Sequence, residues 1–224
     1  MTQLSLLRAE SNISSDVILT SDHLRQSLAY TELPSSPVDV TMPPGSSRWP
    51  EPMREQLART LKPAGVLVPI IDRDGDLSVL LTQRSAELKH HAGQVSFPGG
   101  KMEDNDADVV ATALRETEEE VGIAKHHITV LGYLKTMPTI TGYAVTPVVG
   151  LVSGNAELTI DRTEVEYVFE VPLSFLLNKC NDILTEWDTG ERRGPIIEFH
   201  WEAQRIWGAT AIIIVSLRKQ LLNQ

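Results

Sequence analysis

The amino-acid order predicts an α+β sandwich, a mixed sheet packed with one central helix and one C-terminal helix. Three patterns predict it. Short apolar runs separated by turn residues fill much of the chain, residues 106–121 repeat apolar positions with helical period, and further strands precede a last apolar helix over 209–222. Gly65-Val66-Leu67-Val68-Pro69-Ile70-Ile71 is a buried-strand pattern. Asp72-Arg73-Asp74-Gly75-Asp76 is a turn and Leu77–Leu81 a second strand, so the two make a hairpin. A short strand over Val95–Phe97 leads into Pro98-Gly99-Gly100. The helix over Asp106–Val121 has Val109, Val110, Ala113, Leu114 and Thr117 as its buried stripe, and Gly122 ends it in a left-handed cap. Strands follow over 128–134, 144–151 and 167–171, then a helical turn over 173–177 and a strand over 196–201.

Residues 1–50 read as a partly irregular extension, and residues 51–224 as the domain proper. Ser21-Asp22-His23 caps a short helix running to Tyr30. Pro34 to Pro37 and Met42 to Ser47 then break regular structure. Pro50–Leu61 is predicted as a helix with Met53, Leu57 and Leu61 on one side.

The composition bounds the function. A chain of 224 residues with 42 % apolar and 22 % charged residues buries a normal core. Its net charge of −10 argues against a nucleic-acid partner, which needs excess Lys and Arg. The single cysteine, Cys180, rules out an intrachain disulfide and a cysteine metal site. The start of the chain has no charged region followed by an apolar one, and the apolar run Ala211–Val215 is too short to span a bilayer. A cytoplasmic protein without a membrane partner is the expectation.

The chemistry is concentrated in Gly99-Gly100-Lys101 and in Arg115-Glu116-Thr117-Glu118-Glu119-Glu120-Val121-Gly122-Ile123. On a helix, Glu116, Glu119 and Glu120 share a face and Glu118 points to solvent. Carboxylates held that close repel one another, and a hard cation such as Mg²⁺ or Mn²⁺ relieves the repulsion. Arg115 is placed to orient Glu116 through a forked pair. A Glu-rich run by itself is most often a solvated helix face. The glycine pair just upstream tips the balance, because it marks a loop whose backbone comes close to something.

This segment resembles the Nudix box. Gly100, Arg115, Glu116, Glu119, Glu120, Gly122 and Ile123 fall on its fixed positions. The chain departs from the pattern twice: Asp106 stands for the early Glu with one extra residue before Arg115, and Thr117 replaces an aliphatic residue. The flank is similar to the coenzyme A pyrophosphatase branch of the Nudix hydrolases, in Leu80–Ser85, Leu88, His91, Gly93–Gly100, Thr141–Tyr143, Val145–Gly150 and Trp207–Ala211. The resemblance covers residue 64 to the C-terminus and implies a Nudix-type α/β/α sandwich with the central helix as the catalytic one.

It further implies metal-dependent hydrolysis of coenzyme A or acyl-coenzyme A to 3′,5′-ADP and 4′-phosphopantetheine, or its acyl form. The implied cofactor is Mg²⁺ or Mn²⁺, held by Glu116, Glu119, Glu120 and the Gly100 carbonyl. Catalytic candidates are Glu119, Arg115 and Glu164, with Glu166 beside the last as a second late acid. Substrate-binding candidates are Arg84, His91, Gly99, Gly100 and Lys101. Arg84, Lys89, His90 and His91 form a local cationic group expected to read the 3′-phosphate, although a solvated basic loop is the plainer reading of Lys89 and His90. Two alternatives stay open: a Nudix pyrophosphatase for another nucleoside diphosphate derivative such as ADP-ribose, and a non-catalytic Nudix-fold sensor. A homodimer remains an option the sequence does not decide.

Overall fold

The computed structural model of the protein describes residues 19–42, 51, 55, 61–88, 91–188 and 193–222. Its strands are β1 (Lys62–Arg73), β2 (Asp76–Arg84), β3 (Val95–Ser96), β4 (Gly99–Lys101), β5 (Ile128–Tyr133), β6 (Met137–Pro138), β7 (Tyr143–Ser153), β8 (Val165–Pro172), β9 (Ile183–Asp188), β10 (Arg193–Trp201) and β11 (Gln204–Ile206). Its helices are α1 (Ser21–Leu28), α2 (Val109–Val121), α3 (Leu173–Leu177) and α4 (Gly208–Leu222). The helix expected over Pro50–Leu61 lies almost wholly outside the described residues.

Among the described residues, the main sheet runs β3-β2-β1-β7-β5, with β4 on β1, β6 on β7 and β8 on β2. β1 and β7 are parallel, with Ala64 opposite Val145, and the other pairs are antiparallel. This is the predicted mixed sheet. β1 is apolar from Pro63 to Ile71 because both faces of that stretch are covered. Ala64, Val68 and Ile70 join the large core shared with α1 and α4, whereas Leu67 packs with Ala113 of α2, and Ile71 with Val121 of α2. Side chains alternate across a strand, so one apolar run supplies both interfaces of an α/β/α sandwich.

α2 begins three residues later than the sequence pattern placed it. Asp108 caps it by accepting the Ala111 N–H at 2.8 Å. Asp106 stays outside because its carboxylate is committed to Thr112, Arg115 and the Glu103 N–H. The buried stripe holds Val109, Ala113 and Thr117 as expected, but Thr112 replaces the half-buried Val110 and Leu114. Thr117 turns its hydroxyl onto the Ala113 carbonyl at 2.7 Å, which satisfies the polar atom inside the core. Gly122 closes the helix at φ 76°, as its left-handed cap requires.

The described part of residues 1–50 packs onto the domain. Leu24 and Leu28 of α1 are fully buried in the main core. Thr20, rather than Ser21, caps the helix by accepting the His23 N–H. Beyond the helix, the Thr31 hydroxyl accepts the Tyr133 N–H at 2.8 Å, and the Thr41 N–H donates to the Thr136 carbonyl at 2.7 Å. Gln220 of α4 donates to the Ser27 carbonyl. Leu24→Ala is therefore expected to cost roughly 2–5 kcal/mol of stability. Denaturant unfolding checks this, and a cost under about 0.5 kcal/mol, typical of an exposed site, would contradict it.

Candidate active site

The site is built where α2 faces the β4 hairpin. β4 lies antiparallel on β1, with Gly65 opposite Gly100 and Val66 opposite Gly99. This register sets the two glycines under the last turns of α2. A Cβ on Gly100 would stand 2.4 Å from a Glu116 carboxylate oxygen, so only glycine lets the carboxylate rest there. The Gly99 N–H donates to Glu120 at 3.3 Å. Glu116 and Glu120 thus both aim at the glycine pair, one turn apart on the helix.

Arg115 organises the cluster from the side. Its guanidinium donates to both oxygens of Asp106 at 2.9 Å, to Glu116 at 3.0 Å and to Glu119 at 2.9 Å. The Asp106 side chain is 5 % exposed, and the hydrogen bond from Arg115 holds its carboxyl well below the usual carboxylate range. Asp106, the early acid of uncertain role, is thus an anchor for Arg115. Arg84 of β2 reaches over from the other side, with Nη1 3.5 Å from Glu120.

The charges are expensive where they sit. The Glu120 side chain is 2 % exposed, and burial pushes its carboxyl up to about 8, with Arg84 opposing the shift and Glu116 and Glu164 adding to it. Burial also raises Glu116, against the pull of Arg115, and Glu119 and Glu164 add to the rise. Glu164 therefore faces the pair from the loop before β8. That loop is tied to α2, since the Asp161 N–H donates to the Glu120 carbonyl at 3.1 Å and the Thr159 N–H to the Val121 carbonyl at 2.9 Å. Sequence reasoning named Glu164 as a candidate late acid but had no signal for this tether.

The three expected glutamates do not form a ready-made cluster. Among the described residues, no three His, Cys, Asp or Glu side chains converge closely enough to hold a metal ion. Glu119 is drawn aside by Arg115 and is 59 % exposed, whereas Glu116 and Glu120 remain directed at the glycines. The donor set still fits a hard cation: a buried carboxylate, Glu120, and a half-buried one, Glu116, which adds to the cost of charging Glu120, with a glycine cradle beside them.

A cavity of about 540 Å³ adjoins the pair. Arg84, His91, Gly99, Gly100 and Lys101 line it, so every substrate-binding candidate named from sequence meets in one place. His91 sits at φ 57° with Nδ1 2.8 Å from the Gln94 amide oxygen. Arg84 Nε is buried and has no hydrogen-bond partner among the described residues. Lys89 and His90 lie outside the described residues, and Glu166 is exposed on β8. The far walls are apolar, with Met137, Pro138, Ile196 and Ile212 among them.

A sheet between helices, with paired acids aimed at a glycine hairpin beside an Arg-lined cavity, defines a site for an anionic ligand and a divalent cation. A family model described as the NUDIX domain matches residues 61–194. The chain is 42 % identical over 173 residues to an uncharacterized Nudix hydrolase NudL of Photorhabdus laumondii, covering 76 % of this chain and 90 % of that one. It is also 42 % identical over 163 residues to a protein of the same description from Escherichia coli O1:K1 / APEC, covering 70 % and 82 %. A MutT/nudix family protein of Enterococcus faecalis shares the fold at a TM-score of 0.50 and 18 % identity, over 74 % of this chain and 64 % of that one. The chain belongs to the Nudix hydrolase family, whose members work with divalent metal ions. No helix among the described residues is long and apolar enough to cross a membrane.

The raised Glu120 value gives a pH dependence. In the metal-free protein, the folded state holds a proton that the unfolded state releases above its ordinary value of 4.5. That stability is fully present below pH 4.5 and is lost as pH rises through about 8. A divalent cation bound at this carboxylate would replace the proton. The rise in melting temperature on adding Mg²⁺ in place of EDTA is therefore expected to be larger at a pH above that value than at pH about 5.5. An equal rise at both would contradict the burial of an ionisable Glu120.

Proposed function

We propose that this protein hydrolyses the pyrophosphate of coenzyme A or acyl-coenzyme A, giving 3′,5′-ADP and 4′-phosphopantetheine or its acyl form. One observation carries the reading. The separate segments that resemble the coenzyme A branch converge on the same cavity, through Arg84, Phe97, Thr141, Tyr143, Trp207 and Gly208. These positions are scattered from β2 to the start of α4, and the shared cavity supplies a physical reason for them to occur together. The cavity is polar at the glycine hairpin and apolar beyond it, which suits a ligand with a charged anhydride and a mostly neutral arm.

Glu116, Glu120 and the Gly100 carbonyl would hold Mg²⁺ or Mn²⁺. The bound ion would polarise a phosphate oxygen and lower the pKa of a bound water. The protein's own residues do the rest. Arg115 keeps Glu116 and Glu119 in place through its bonds to each, and Asp106 keeps Arg115 in place. Glu164, facing the pair, accepts the proton of the attacking water, with the exposed Glu119 as the other base. Arg84 is assigned to the scissile pyrophosphate. The sequence placed it on the 3′-phosphate, but its guanidinium lies against Glu120 with an unpaired Nε, beside the metal-binding carboxylates. Lys101 and His91 line the same cavity and are the cations left to meet the 3′-phosphate.

The test is a product assay with coenzyme A against ADP-ribose in Mg²⁺ or Mn²⁺. Coenzyme A is expected to yield 3′,5′-ADP in preference, and Glu120→Gln to keep the fold while losing at least about a hundredfold in turnover. Preference for ADP-ribose would move the protein to another Nudix specificity, and no turnover of either would favour the sensor. Arg84→Ala is expected to lower kcat/KM for coenzyme A and dephospho-coenzyme A alike, by roughly ten- to a hundredfold. A loss confined to coenzyme A would return Arg84 to the 3′-phosphate.

A further inference from the structure

We infer that the indole of Trp207, braced from behind by Arg205 and Glu198, is the platform on which the flat base of the nucleotide stacks. This rests on reading the cavity as the site of a nucleoside diphosphate derivative. Trp207 lines that cavity together with Gly99 and Gly100. The Arg205 guanidinium lies over the ring, 5.3 Å from its centroid. Arg205 is itself fixed, donating to Glu198 through Nε at 2.7 Å and Nη2 at 2.6 Å. The Glu198 side chain is 7 % exposed, and its other oxygen meets His200 Nε2 at 2.9 Å.

The chain beyond the ring is equally constrained. Gly208 starts α4 at φ 64°, and the Thr210 hydroxyl donates to the Val95 carbonyl of β3 at 2.9 Å. The indole therefore stands on the cavity wall between an arginine that a buried carboxylate holds over the ring and a pinned helix start. Burying a carboxylate is costly, and here the cost is met by a network whose visible effect is to hold one ring plane. A flexible aliphatic arm needs apolar surface but no fixed plane, and Met137, Pro138, Ile196 and Ile212 already offer such surface in the same cavity. A base does need a plane, since stacking requires two flat faces in register. The guanidinium behind the ring draws electron density from it, which favours an electron-rich base on the open face.

The experiment is calorimetric titration of the full chain in Mg²⁺ with ADP, with inorganic pyrophosphate and with 4′-phosphopantetheine. Trp207→Leu is expected to weaken ADP about tenfold or more and leave the other two ligands unchanged. Trp207→Phe, which keeps a flat ring, is expected to recover most of that loss. Arg205→Gln, which removes the brace at a half-exposed position, is expected to weaken ADP alone by about two- to fivefold. The platform is overturned if wild type does not bind ADP, if Trp207→Leu leaves ADP unchanged, or if it weakens pyrophosphate or phosphopantetheine as much as ADP. The two readings fail separately: a protein that does not cleave coenzyme A but shows these shifts for ADP keeps the platform and loses only the coenzyme A assignment.

Discussion

Everything around the site depends on one electrostatic constraint, the confinement of two carboxylates on one side of a helix end. Burial raises the proton affinity of both Glu116 and Glu120, and Glu116 adds to the rise at Glu120. The residues that could relieve this sit at the margins. Arg115 spends its donors on Asp106, Glu116 and Glu119, and Arg84 approaches Glu120 only to 3.5 Å. The paired acids are thus only partly neutralised by the cations around them. A divalent cation carrying a polyanion is the ligand that such a deficit selects.

The fold meets the constraint by rigid support from several directions. β1 is hydrogen-bonded to β4 and packed against α2, so the helix and the glycine hairpin are referenced to one strand. Asp106, just before the helix, anchors Arg115 nine residues later and fixes the helix face that carries the acids. The loop over 159–165 closes the other end by bonding to the carbonyls of Glu120 and Val121, which sets Glu164 in front of the pair. Each of these supports restricts where a carboxylate can point.

Much of this was legible in the sequence where the signal is local. The β1–β2 hairpin, the Gly122 cap, the turn of helix over Leu173–Leu177 and the shared direction of Glu116 and Glu120 follow from periods of two and 3.6 residues. What was missed is long-range. Leu24 and Leu28 sit in a segment rich in Ser and Pro, and their burial depends on α4 and β5, far along the chain. Glu119 has the right spacing for the acid face but lies four residues from Arg115, which captures it. The approach of Arg84 to Glu120 joins β2 to α2, and no sequence period encodes it. β9 and β11 escaped because Ile183–Asp188 mixes polar with apolar residues and Gln204–Ile206 is too short to show a pattern.

A metal ion bound at this site would displace the proton that Glu120 holds. The direct measurement is calorimetric Mg²⁺ or Mn²⁺ binding at pH about 7 in buffers of different ionisation enthalpy, which counts the protons released. With Glu120 held near 8, close to one proton is expected to leave per ion bound, and the number should fall towards zero well above that pH. Binding at pH about 7 without proton release would contradict the account, because the acids would then be ionised and solvated before the metal arrives.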